Sequence, residues 1–287
     1  MRKSVILGLM LLVISQLWSQ SATNEAEIKK QIDQAIANGE DPRVALQRAS
    51  LWSAEIPLTK PWLKGKLNVN TKFSRISVNG TDQDFVSVYV YDLRAVEKYA
   101  PLNLEPNRWV DTKPLIEFTE NNNEVTITEK SDKLTGLLIS INVPYRFGLK
   151  LEANEESIFV FDLEGEIEAS SVKGDIKFIR LKGAVVASSE EGYIAGNYLE
   201  VSPRYPNMLS SVNGDVQLVI PESASVNIII SIEEGPIESD YRMKTHRNTD
   251  KNGQSDIKMV QLGLREASIG ITSLYGEVRI IDPSRNN

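Results

Sequence analysis

From Leu67 onwards apolar and β-branched residues alternate with polar ones, the period-two pattern of strands. Phe85 to Tyr91 reads FVSVYVY, Glu124 to Thr128 reads EVTIT, and Leu137 to Val143 reads LLISINV before Pro144, which ends or edges a strand. Ahead of this region the period changes. Within Asn24 to Ser50, Ile28, Ile32, Ala35 and Ile36 fall at helical spacing and Asn38-Gly39 is a stop. Asp41 as N-cap and Pro42 in the first turn start a second short helix, with Val44, Ala45 and Leu46 on its apolar side. A helical arm over residues 22–52 is expected, either a cap packed on the strands or a partner-binding element. Asp92 to Pro114 reads as a long irregular insertion. It is a binding loop, or a loop that Trp109 anchors by packing.

Glycines then recur at Gly165, Gly174, Gly183 and Gly192, nine residues apart, in the words EGEI, KGDI, KGAV and EGYI. Later copies are NGDV at Gly214, EGPI at Gly235 and YGEV at Gly276. A short fixed period with glycine at the corner and Ile or Val two residues on is what a β-solenoid requires, because each coil buries its face only against its neighbours. One strand per nine residues implies roughly 18 to 22 residues for a two-strand coil. Ordinary hairpins are the competing reading, since Asn79-Gly80 and Asn213-Gly214 are also hairpin-turn signals.

The run from Pro144 through Gly192, SSVNGDVQLVIP at Ser210 to Pro221 and SLYGEVRI at Ser273 to Ile280 resembles the putative-adhesin β-repeat family of bacterial envelope proteins, relatives of the adhesin-head domains. The resemblance covers Lys66 to Asp282. It implies a parallel-coiled, exported, non-enzymatic β-domain, and it brings no catalytic residues with it. Leu262 to Ala267, LGLREA, departs from the pattern, being more charged than the glycine-rich turn expected before the last repeat. The expected division is a signal peptide at 1–21, the arm at 22–52, an all-β repeat domain at 56–282, clearest over 144–282, and a polar tail at 283–287.

The signal peptide is read from Arg2 and Lys3, the apolar run Val5 to Leu17 and the small residues Ser19 and Ser21. That run falls short of the roughly 20 residues that span a bilayer. No later segment is long and apolar enough, so no integral membrane segment is expected after cleavage. An exported protein follows, retained in the periplasm by default, with the cell surface or the medium as alternatives. The chain has no cysteine, which removes disulfides, thiolate metal sites and a cysteine nucleophile. Net charge is −7, or −9 without Arg2 and Lys3, and it argues against nucleic acid as a partner.

His246 is the only histidine and lies in the polar run Arg242 to Gly253, read as a loop. No G-x-S-x-G accompanies it, and one histidine makes a poor zinc site. Carboxylates follow the corner glycines at Glu166, Asp175, Asp215 and Glu277. They read as solvated outward positions, with a calcium-binding row or an acid/base pair acting on a polysaccharide as the sharper alternatives. No cofactor is called for. Trp109, Tyr193, Tyr198 and Tyr205 are the candidate binding-loop residues, with packing at coil edges as the plainer reading. Ala195 to Asn207, containing GNY and SPRYPN, is an irregular excursion and, with Asp92 to Pro114, a first choice for a binding loop. The function these features support is an adhesin-like binding or scaffolding module whose partner is an envelope protein or a carbohydrate. A polysaccharide-active enzyme is the alternative.

Overall fold

The computed structural model describes residues 37, 50, 52–92, 116–129, 136–250 and 253–285, and among them it is all-β, with Ala37 alone helical. The chain opens with β1 (Trp52–Pro57), β2 (Lys66–Thr71), β3 (Ser74–Thr81) and β4 (Phe85–Asp92), then β5 (Ile116–Asn121), β6 (Glu124–Glu129) and β7 (Leu137–Pro144). The middle holds β8 (Gly148–Ala153), β9 (Ile158–Phe161), β10 (Glu166–Ser171), β11 (Ile176–Ser189), β12 (Ile194–Val201), β13 (Asn207–Ser211) and β14 (Val216–Val219). Last come β15 (Val226–Glu234), β16 (Ile237–Ser239), β17 (Met243–Asp250), β18 (Gly253–Leu262), β19 (Ala267–Tyr275) and β20 (Val278–Ile281).

These strands form two ladders. One runs β5-β6-β2-β8-β10-β11-β13-β19-β15-β18-β17. The other runs β1-β4-β7-β3-β9-β11-β12-β14-β20-β16. The long strand β11 contributes its first half to the second ladder and its last half to the first. Pairing is parallel through the middle of both ladders and turns antiparallel at β5–β6, β1–β4–β7 and β15–β18–β17.

One strand from each ladder makes a rung. In the middle, a rung repeats every second corner glycine, as Leu149 pairs with Ile167, Ile167 with Val185, and Ile158 with Ile176. Alternation then sends one face of each strand inward. Leu149, Ile167, Val185, Ile158 and Ile176 belong to a single buried cluster between the ladders. Burial of such side chains, at about 1.5–3 kcal/mol each, offsets the conformational entropy lost in ordering each rung.

Towards each end the spatial order departs from chain order. The rung of β2 and β3 sits between β6/β7 and β8/β9, and the rung of β19 and β20 sits between β13/β14 and β15/β16. An early rung and the last one are thus tucked inside the stack.

The signal peptide expected at 1–21 lies outside the described residues, as does the helical arm at 22–52 apart from residues 37, 50 and 52. The arm's far limit is corrected: Trp52 already opens β1, where it pairs with Val90 and is buried. Partnership with β4 decides the conformation there. Asn79 and Gly80, a hairpin signal in the sequence, lie inside β3 opposite Asn142 and Val143. The insertion beyond Asp92, with Trp109, is outside the described residues. Period-two alternation also misleads at β4 and β7. Ser87, Tyr89, Tyr91, Leu138, Ser140 and Asn142 are buried like the valines and isoleucines between them, so both faces of these strands are covered.

Candidate functional site

The corner glycines form two columns. A side chain on Gly183 would meet the Gly165 carbonyl at 2.0 Å, and one on Gly165 would meet the Phe147 carbonyl at 2.0 Å. On the other side Gly192 faces the Gly174 carbonyl, Gly214 that of Gly192, Gly276 that of Gly214, and Gly235 that of Gly276, at 2.1 to 2.5 Å. Backbones this close leave no room for a Cβ. The nine-residue interval therefore separates opposite columns. Within the second column, Gly276 comes before Gly235 in space.

Serines support these corners. The Gly174 N–H donates to Ser171 Oγ and the Gly192 N–H to Ser189 Oγ, both at 2.8 Å. Ser171 and Ser189 are buried, so each hydroxyl satisfies a donor that would otherwise be stranded. The signal was legible as the recurring serine three residues before glycine.

A corner without side chains is also a depression. A cleft of about 570 Å³ has Gly165 and Gly183 in its floor, Glu164, Glu166 and Lys182 on its walls, and Tyr205 on its rim. A second, of about 450 Å³, adjoins it at Lys64 and Glu166 and runs over Gly65 and Gly148. Charges alternate from one rung to the next in the order Arg146, Glu164, Lys182 and Glu200, and the last three line the cleft. Glu164 lies 3.0 Å from Lys182 and 3.8 Å from Arg146, while Lys64 pairs with Glu166.

The rim loop exists because the period slips. Gly183 pairs with Val201, in step with the earlier rungs, but Val186 pairs with Met208, four positions late. The extra length falls in the SPRYP stretch after Val201. Asn207 closes the gap from an inward position that neighbouring rungs fill with Val185 and Ile269. Its Oδ1 accepts from the Val185 N–H at 3.0 Å and the Tyr198 hydroxyl at 3.4 Å. Its Nδ2 donates to the carbonyls of Ser202 and Tyr205 at 3.3 and 3.2 Å. This buried amide has every hydrogen-bonding position filled. It ties the loop to the core and holds Tyr205, 48% exposed, beside the Lys64 ammonium, 5.8 Å from the ring centre.

The four aromatic candidates thus separate. Tyr205 lines the cleft. Tyr198 is buried beneath the loop, and desolvation pushes its hydroxyl well above the ordinary phenol range, so it presents nothing to solvent. It packs there because Gly196, two residues earlier, leaves space for its ring. Tyr193 is half-buried on the other ladder, its hydroxyl 2.8 Å from Gln217 Oε1 and its ring 5.5 Å from the Lys177 ammonium. Burial raises its pKa. Trp109 is not among the described residues.

The carboxylates following the glycines do not form one row. Glu166 belongs to the cleft corner, whereas Asp175, Asp215 and Glu277 follow glycines of the other column. Asp175 Oδ1 accepts the Tyr193 N–H at 3.1 Å, and Asp215 Oδ1 the Glu277 N–H at 2.7 Å, so each reaches the backbone of the next rung. No cluster of three or more metal-ligating side chains occurs among the described residues. His246 is corrected from loop to strand: it is exposed on β17, opposite Ile257. Asn207, Lys64 and Glu164 were not singled out from the sequence. The constant interval joining Arg146, Glu164, Lys182 and Glu200 was the available clue.

No family model matches the chain, and no curated protein matches it. Two solved structures align with most of it. A "putative cell adhesion protein" from Clostridium sporogenes is 14% identical, with a TM-score of 0.42, over 79% of this chain and 97% of that one. A "putative adhesin" from Bacteroides fragilis is 11% identical, with a TM-score of 0.31, over 80% of this chain and 96% of that one. Among the described residues, no helix is long and apolar enough to cross a membrane.

Proposed function

We propose that this chain is an exported, non-catalytic binding or scaffolding module of the cell envelope, with an adhesin-like role on a β-solenoid. The parallel rungs, repeating at every second corner glycine through the middle, support the solenoid reading. Export rests on the basic, apolar and small-residue succession of Met1 to Ala22. The observation that carries the binding reading is the open cleft with its glycine floor and its rim fixed by Asn207. A loop held rigidly over a depression loses little freedom when it engages a partner.

Two measurements test this. Cell fractionation with N-terminal sequencing should find a processed chain in the periplasm or beyond, and an unprocessed cytoplasmic chain overturns export. Immobilised mature protein should retain an envelope component that competes with soluble protein and is lost in Tyr205→Ala. Equal retention by the variant removes the cleft from the reading.

A catalytic alternative has one observation in its favour, since Glu164, Glu166 and Glu200 line the same cleft. Glu164 and Glu166 each already engage a lysine, an arrangement suited to holding a wall in place. Turnover on a panel of polysaccharides that disappears in Glu166→Gln would establish the enzyme instead.

A further inference from the structure

The two clefts continue onto the outer face of the first ladder. A third hollow, of about 370 Å³, shares Lys66 and Glu124 with the second and extends over Asn68, Asn70, Lys150 and Glu152. The result is a trough that starts at the Tyr205 rim, crosses the glycine floor and runs over neighbouring strands β6, β2 and β8. Its length suits a chain molecule better than a single small ligand.

The chemistry of its walls narrows the occupant. Lys64, Lys150 and Lys182 each hold a glutamate of the same trough, namely Glu166, Glu152 and Glu164. Asn68 Nδ2 donates to Glu124 at 2.7 Å and Asn70 Nδ2 to Glu152 at 2.8 Å. Most charges are therefore matched within the trough, and the polar groups are already held in place. A polyanion meets carboxylates, a polycation meets ammonium groups, and an apolar peptide would desolvate polar groups without replacing their partners. A neutral polyol fits. Each hydroxyl both donates and accepts, so it can join a carboxylate on one side and an amide or ammonium on the other. The exposed Tyr205 ring adds a flat apolar surface for the C–H face of a pyranose.

Resting on the binding reading above, we infer that this trough takes a neutral polysaccharide, with Tyr205 as its stacking contact and Asn207 as the residue that positions Tyr205. The ligand class is an uncharged chain of hexoses or pentoses, recognised by hydroxyl groups and one ring face.

Affinity electrophoresis of the mature protein against soluble β-glucan, mannan and arabinoxylan, with polygalacturonate and heparin as anionic controls, tests this directly. At least one neutral polysaccharide should retard the protein, and raising salt should change that retardation little, because an uncharged ligand brings no charge to be screened. Tyr205→Ala should weaken the interaction roughly tenfold or more, the usual loss at an aromatic anchor. Asn207→Leu restores an apolar inward residue while releasing the loop. It should lose binding to a similar degree and keep a cooperative thermal transition, whereas Leu199→Ala, outside the trough, should bind as the parent does. Retardation by the anionic glycans alone, by none of the neutral ones, or to an equal degree by parent, Tyr205→Ala and Asn207→Leu overturns the inference. If envelope extract yields a protein partner sensitive to Tyr205→Ala while every neutral polysaccharide fails, the binding module stands and the glycan assignment falls.

Discussion

The middle of the molecule and its ends are built from the same rungs by different rules. From β8 to β14 chain order and spatial order agree, and each rung lies on the one made just before it. At the C-terminal end the chain passes beyond β13/β14, lays down β15/β16, adds the β17–β18 hairpin and then returns with β19/β20 to fill the space it left. The β2/β3 rung at the other end is likewise flanked on both sides by later segments. Sequential stacking needs only local contacts. Out-of-order stacking needs contacts between distant segments, whose closure is slower and entropically costlier. What the ends gain is antiparallel cover at three of the four ladder edges, which would otherwise recruit other chains, while β16 pairs in parallel at the fourth.

The largest test of this contrast is removal of the returning segment. Stopping the chain after Glu266 removes Ile269, Ile271, Val278 and Ile280, all fully buried, and leaves two rungs without a common neighbour. At about 1.5–3 kcal/mol per side chain the loss reaches about 6 kcal/mol or more, comparable with the stability of a whole domain. Chemical denaturation should show a collapsed midpoint, and a synthetic peptide of residues 267–285 should restore part of it. An unchanged midpoint would mean that the rung is dispensable.

Position in the stack should matter next. Ile176→Asp puts an unpaired carboxylate at a fully buried site in the middle and should cost several kcal/mol. Ile237→Asp, half-buried on the outermost strand β16, should cost less than half as much, because a strand with one neighbour transmits its defect to one side only. Equal losses in urea melts would refute coupling along the stack.

Glycine substitutions sharpen the point further. Gly183→Val forces a side chain against backbone and should destabilise by about 3 kcal/mol. Gly270→Ala meets nothing closer than the Asn207 carbonyl at 3.9 Å, so it should shift stability by about 0.5 kcal/mol or less. Thermal melts that reverse this order would show that the corner is not tightly stacked.

The smallest effect belongs to Asp175→Asn. An amide oxygen can still accept the Tyr193 N–H, and only a half-exposed pair with Lys177 at 3.1 Å is lost. The expected change is about 0.5 kcal/mol or less, measured in the same urea melts, and a larger loss would give that ion pair a weight exposed pairs rarely carry.

Much of the middle was legible because its determinants are local. Alternation in Glu166 to Ser171, the glycine that must turn the chain and the Ile or Val two residues later all lie within one rung, and Ile167 and Ile176 point inward accordingly. The site was less legible. Tyr198 and Tyr205 have the same composition-based claim to exposure, although Tyr198 lies on β12 and only Tyr205 lies in the added stretch. Only the slip in the rung period, and the amide of Asn207 bonded on four sides, separates a rim residue from a buried one.

By itself, then, the sequence determined, through the middle of the chain, where strands run, which of their faces turn inward and where backbones must pass without side chains between them. Periodicity and glycine act over a few residues, so no distant partner is needed to read them. The tertiary structure decided that Gly276 precedes Gly235 in the stack, that Trp52 extends a ladder instead of a helix, and that Lys64 meets Glu166 from 102 residues away. Each of those outcomes depends on which remote surface was left unpaired once the nearer rungs had formed, a property of the assembled stack and of no single segment.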